Sequence, residues 1–140
     1  MASILKVDDL RGNTAAGNIT ITSEGGAATM QLQLGVVKVW ANYEQEGTHS
    51  TRDSFNVSSL TDAAQGRTTI NFTNSMVNDD FCAVMYLNAT SGTGAVATFS
   101  NNFVGGLCLR ATGSVTSEAY ASSAYADSGQ ADTLVTGDLA

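Results

Sequence analysis

Arg67-Thr-Thr-Ile-Asn-Phe-Thr73 is the stretch whose reading decides the fold class. Ile70 and Phe72 alternate with Thr69, Asn71 and Thr73. An extended chain with that period has one apolar and one polar side. Asp62-Ala-Ala-Gln-Gly66 precedes it and supplies a glycine for a positive φ, which predicts a hairpin with a five-residue loop. Upstream, Asp53-Ser-Phe-Asn-Val-Ser-Ser-Leu60 alternates Phe55 and Val57 and then slips one register toward Leu60. Residues 36–43 read as the first strand of a core, with Trp40 its largest side chain, either inside the sandwich or at a seam between subunits. Phe81-Cys-Ala-Val-Met-Tyr-Leu87 is apolar on both parities and predicts a central strand buried on two faces. Residues 94–99, 106–111, 113–120 and 132–139 supply four more strands. Short strands separated by Gly and Asn turns predict an antiparallel β-sandwich, jelly-roll-like, over residues 36–140. Helix signals are poor: an Ala-rich stretch from Ser117 to Ala126 is the best, and Thr73-Asn-Ser-Met76 could form one turn.

Residues 1–35 read differently. Leu5, Val7 and Leu10, then Ile19 and Ile21, then Met30, Leu32 and Leu34 form short apolar alternations broken by Gly, Asn and Thr. All ten aromatic residues lie beyond residue 39. A ribbon of two or three strands with one apolar face is marginal alone in water. Copies of itself are the simplest cover, so the segment predicts an intertwined, trimeric β stem. Those eight side chains are its expected oligomerisation contacts. The whole chain is therefore expected to be all-β, a short stem followed by a sandwich head.

Composition excludes several functions. Thr, Ser, Asn and Gly make up 55 of 140 residues, which favours turns and exposed strand faces over long helices. Six Lys and Arg against thirteen Asp and Glu give a net charge of −7, leaving no basic stripe for nucleic acid. No apolar run is long enough for a membrane span, so no membrane insertion is expected. Met1-Ala-Ser-Ile-Leu-Lys6 lacks the pattern of a secretory signal, which predicts synthesis in a cytoplasm. Cys82 and Cys108 are then expected to be reduced, buried thiols; a disulfide between them requires neighbouring strands. The four Asn-x-Ser/Thr triplets, at Asn18, Asn56, Asn71 and Asn88, are what chance supplies in so Asn- and Thr-rich a chain.

No catalytic constellation stands out. Asp8-Asp9 and Asp79-Asp80 are adjacent pairs in turns, and neighbours on an extended chain point to opposite faces. His49 is the only histidine, with Ser50 and Asp53 merely local to it and no Gly-x-Ser-x-Gly elbow anywhere. Neither a metal nor another cofactor is expected, and no enzyme. Exposed aromatics anchor sugars and proteins. Tyr120 and Tyr125 sit in an Ala/Ser-rich stretch where they either stack on a ligand or cover the end of the core. Asn88 and Thr90 in the polar 88–94 loop, with Asn101 and Asn102, complete the candidate receptor contacts.

Several stretches resemble tail-fibre and appendage proteins of marine tailed bacteriophages. Ser3-Ile-Leu-Lys-Val-Asp-Asp-Leu10 and Gly17-Asn-Ile-Thr-Ile-Thr-Ser23 look like their N-terminal stem. Trp40, Arg52-Asp-Ser-Phe-Asn-Val-Ser-Ser-Leu-Thr-Asp62, Thr69-Ile-Asn-Phe-Thr-Asn-Ser-Met76 and Phe81-Cys-Ala-Val84 look like their globular part, and Gly137-Asp-Leu-Ala140 like their end. Val77 stands where the family commonly has Pro, so the family's turn is not carried over to that position. The resemblance implies a fibre-like, trimeric, non-enzymatic virion component without a cofactor. It would be displayed on the virion surface, held to other virion proteins by its stem and contacting a host surface glycan or protein. The alternative is a head fibre or capsid decoration (cement) protein with a purely structural role.

Overall fold

The computed structural model describes residues 6–15, 18–88, 103–121 and 124–140. The chain divides into two units, Met1–Val36 and Val37–Ala140.

In the first unit β1 (Thr20–Thr22) and β2 (Thr29–Gln31) form an antiparallel pair with Ile21 opposite Met30. Gln31 Nε2 donates to Asn18 Oδ1 at 2.7 Å and ties down the entry to β1. The alternation expected to run through Leu34 stops at Gln31. Leu32–Gly35 forms one helical turn, α1, while Leu32 N–H still donates across the ribbon to the Ile19 carbonyl at 2.8 Å.

The second unit is all-β, built from antiparallel sheets. Its strands are β3 (Val37–Glu44), β4 (Ser50–Phe55), β5 (Val57–Ala64), β6 (Arg67–Phe72), β7 (Cys82–Asn88), β8 (Phe103–Ala111), β9 (Ser114–Ala121), β10 (Ala124–Tyr125) and β11 (Gln130–Thr136). One sheet has the order β4-β3-β11-β7. In the other, β6 lies between β5 and β9, β8 pairs with the other edge of β9, and β10 pairs with the last residues of β9. The sheets face each other through Val39, Ala41 and Tyr43 of β3, Ala131 and Val135 of β11, and Ile70 and Phe72 of β6 with Val115 and Ala119 of β9. Each such side chain removed from water stabilises by roughly 1.5–3 kcal/mol, less for Ala. Phe81 closes one end, edge-to-face on Phe72 with ring centres 5.9 Å apart.

The chain changes sheet at Asn56, between the end of β4 and the start of β5. Asn56 adopts φ 58°, the left-handed region that Asn tolerates better than most residues. Its side chain explains why Asn stands there. Nδ2 donates to the carbonyls of Lys38 and Asn74, both at 3.1 Å, and Oδ1 accepts the Asn74 N–H at 2.7 Å. The register slip legible between Val57 and Leu60 is a bulge just after this corner. The β5–β6 hairpin is tighter than expected: Ala64 pairs with Arg67, leaving only Gln65 and Gly66 in the loop. Gly66 has φ +69°, and a Cβ there would lie 2.5 Å from the Ala119 carbonyl oxygen.

The strand expected over 113–120 is β9, and the Ala-rich 117–126 stretch, the better of two poor helix signals, is β9 and β10, with Ser117 and Ala119 facing the core at period two. Three other expectations are corrected. The 73–76 segment is a bend, with no helical turn for Thr73 or Asn74 to cap, and Met76 bridges to Leu139. Among the described strands β7 is the last of its sheet, and its second apolar parity, Val84 and Tyr86, faces outward. Cys82, on that same parity, is a free and exposed thiol, whereas the Cys108 side chain lies outside what is described. The strand expected over 94–99 falls outside the described residues.

Tyr43 links the sheets chemically. It is wholly buried, and its hydroxyl donates to Ser117 Oγ at 2.8 Å and lies 3.3 Å from Thr133 Oγ1. Burial raises its pKa above the ordinary 10.0, opposed by its hydrogen bonds with Ser117 and Thr133. Below pH 10 the phenol is neutral in folded and unfolded chains alike. Above it the unfolded chain ionises first, so stability falls as pH rises from 10 toward the folded value. Equilibrium unfolding followed between pH 8 and 11 should show that fall in the natural chain. Tyr43→Phe should flatten the part due to this group and cost about 1–2 kcal/mol at neutral pH.

Candidate functional site

Three clusters in the second unit carry chemistry or exposed aromatic surface. The first surrounds His49. Gln45 Nε2 donates to Thr68 Oγ1 at 2.9 Å, and Thr68 Oγ1 lies 3.0 Å from His49 Nδ1. Because Thr68 accepts from Gln45, its own proton is free to go to His49 Nδ1. Nε2 of the ring then faces Asp62 Oδ1 at 3.7 Å. Gln45 also accepts the Ser128 N–H at 3.2 Å and donates its own N–H to the Ser128 carbonyl at 3.0 Å. The partners of His49 are thus Thr68 and Asp62, brought in by the β5–β6 hairpin, and not its neighbours in sequence, Ser50 and Asp53. A hydroxyl, an imidazole and a carboxylate in line look like a hydrolytic triad. Thr68 and Gln45 are wholly buried, however, so no substrate carbonyl reaches that hydroxyl. The chain of hydrogen bonds instead pins the loop before β4 onto the second sheet.

The second cluster holds Tyr120 and Tyr125. They are strand residues, directly opposite in the β9–β10 pair, and their rings meet edge-to-face at 5.3 Å. Arg67 lies 4.3 Å from the centre of the Tyr125 ring, donates to its hydroxyl at 2.6 Å and pairs with Glu118 at 2.6 Å. Both rings keep an exposed side, but the phenol of Tyr125 is already engaged. The structure therefore brings these two expected receptor residues together. Asn88 closes β7 in the other sheet, opposite Gln130. Thr90, Asn101 and Asn102 lie outside the described residues.

The third cluster is the outer face of the β4-β3-β11-β7 sheet. Phe55 pairs with Trp40, Trp40 with Leu134, and Leu134 with Val84. Residues directly opposite share a face, so these four form one row from edge to edge. They are 54%, 37%, 38% and 57% exposed. Trp40 therefore lies outside the sandwich, which corrects the first of the two placements expected for its indole and leaves the second, a seam between subunits. One register on, Asp53, Asn42, Asp132 and Tyr86 form a parallel polar row, with Asn42 Nδ2 donating to Asp132 Oδ1 at 2.5 Å. Trp40, Leu134, Val84, Tyr86 and Asp132 border an open groove of about 430 Å³. This surface escaped the sequence reading, although the signal was present. Trp40 has the opposite parity to Val39, Ala41 and Tyr43, and β7 is apolar on the parity that its neighbours do not bury.

In the first unit Val7, Leu10, Ile21, Met30 and Leu34 are exposed, and Ile19 and Leu32 are partly covered; Leu5 lies outside the described residues. Ile21 and Met30 flank a hollow of about 180 Å³. Among the described residues no group of three or more His, Cys, Asp or Glu side chains is placed to hold a metal. No helix among them is long and apolar enough to cross a membrane. Neither a protein-family model, nor a curated protein, nor a solved structure matches the chain.

The reading of the His49 cluster as a structural pin has a direct check. Thr68→Val keeps the shape and removes the hydroxyl, leaving Gln45 and His49 without their shared partner. Urea unfolding should show a loss of about 1–3 kcal/mol for the groups left unsatisfied.

Proposed function

We propose that this chain is a non-enzymatic subunit of a bacteriophage virion appendage, a trimeric, tail-fibre-like protein that contacts the host surface. Residues 1–35 would form the intertwined stem and attach to other virion proteins, and the jelly-roll-like head would stand away from the particle. The observation that carries the reading is the first unit. Ile21 and Met30 sit directly opposite each other on a two-stranded ribbon, and both are exposed. A ribbon this small buries too little apolar surface to hold itself together, and winding with two copies supplies the missing cover. The resemblance of the stem and head segments to phage appendage proteins points the same way. In that arrangement the paired rings of Tyr120 and Tyr125, with Asn88, Thr90, Asn101 and Asn102, are the polar and aromatic groups offered to a host glycan or protein. Three copies in one appendage would raise avidity over a single site by about 10²–10⁴.

The second reading is a head fibre or capsid decoration protein. It is favoured by the apolar row on the outer sheet face, a surface suited to lateral packing. Copies per virion separate the two: tail fibres are present in a handful and decoration proteins in tens to hundreds.

Removing residues 1–35 tests the proposal. The full chain should give a mass by light scattering that is a multiple of three chains. The shortened chain should keep its β-rich circular dichroism and lose every three-fold species. A trimer that survives the deletion would place the three-fold contact in the head and overturn the stem assignment.

A further inference from the structure

We infer that the outer face of the β4-β3-β11-β7 sheet is a two-fold contact between copies of this chain, separate from the stem.

Phe55, Trp40, Leu134, Val84 and Tyr86 together expose roughly 450 Å² of side chain, taking about 150–250 Å² for each whole aromatic side chain. That is the size of the largest apolar patch on a typical monomer, and such patches are often functional. An ordinary stable interface covers about 800 Å² on each partner, about 65% of it apolar between identical subunits. The row with Tyr86 supplies most of that apolar share.

The shape selects the occupant. The row crosses the four described strands of the sheet, about 14 Å at the usual strand spacing, and its most exposed members, Phe55 and Val84, stand at its two ends. A saccharide stacked on Trp40 and Tyr86 would leave Phe55 in water. A second sheet of equal width covers both ends, and sheets pack face to face with their strands within about 30°.

The order of residues makes the face complementary to itself. Consider a two-fold axis parallel to the strands, midway between β3 and β11. It lays Phe55 on the partner's Val84 and Trp40 on the partner's Leu134, so each ring meets an aliphatic side chain. In the polar row it lays Asn42 on the partner's Asp132 and Asp53 on the partner's Tyr86. Every carboxylate then meets an amide or a phenol, and no carboxylate meets another. On a chain of net charge −7 this is the arrangement that avoids like-charge contact across a desolvated surface. A two-fold contact uses the same patch on both copies, which is what this face provides.

The chain has a single tryptophan, and it lies in the row, so its fluorescence reports the contact directly. The full chain is diluted from about 100 µM to about 0.1 µM, following mass by sedimentation and emission from Trp40 together. Mass should fall by half, and emission should move to the red over the same concentration range. Val84→Glu and Phe55→Lys, at exposed positions at opposite ends of the row, should each show the halved mass and the red emission throughout, with unchanged circular dichroism. If the halved species is a trimer, the stem reading stands beside this one; if it is a monomer, the stem reading fails and the two-fold contact remains. The inference is overturned if neither variant changes the mass, or if Trp40 emission is that of a solvated indole at the highest concentration. A shift of Trp40 emission on adding maltohexaose or cellohexaose at constant mass would also overturn it, and would make the face a saccharide platform.

Discussion

The two sheets of the head are joined through a polar seam as much as through apolar packing, and the register of the whole sandwich depends on that seam. Tyr43 reaches from β3 to Ser117 of β9, and Ser117 donates onward to the Thr68 carbonyl of β6 at 3.1 Å. Thr68 in turn holds Gln45 and His49. A buried polar group without a partner costs a large fraction of a domain's net stability. Sliding one sheet over the other would strand several such groups at once. Val39, Ile70 and Val115 would tolerate a shift, since apolar contact is non-directional. The seam would not.

Local backbone features serve the same end. Asn56 turns the chain from one sheet into the other within a single residue, and its amide holds the 73–74 segment against the Lys38 carbonyl. Gly66 brings the β5–β6 hairpin close enough to β9 for the Ala119 N–H to reach its carbonyl at 2.7 Å. Asp127 accepts the Gly66 N–H at 2.6 Å, so the segment after β10 is pinned to the same turn. Together these contacts bring β6, β9 and β10 to one place. Tyr125 and Arg67 then meet there as a consequence of the sheet order.

The same order decides what the outside of the head offers. A sandwich hides one face of each sheet, and the face that β3, β11 and β7 turn outward carries Trp40, Leu134 and Val84 in one row. A three-fold stem and a two-fold contact in one chain would together join trimers in pairs rather than leave them as isolated spikes. That consequence links the appendage reading to the decoration reading, because paired subunits suit a particle surface covered in many copies.

The sequence by itself determined the class of the fold. Ile70 and Phe72 at period two, the 62–66 turn and the scarcity of helix signals require antiparallel strands, and the absence of aromatics before residue 40 marks the first segment as a different kind of structure. These are local properties, set by which side of an extended chain each residue occupies. Only the tertiary structure decided which apolar parity is buried. Phe81–Leu87 is apolar on both sides, and its sheet has the core against one face only, which leaves Val84 and Tyr86 outside. Trp40 follows the same rule, because only Val39, Ala41 and Tyr43 face the other sheet. The partners of His49 were hidden for a related reason. Thr68 and Asp62 stand 19 and 13 positions away along the chain, and hairpin register, not sequence spacing, brings them to the ring.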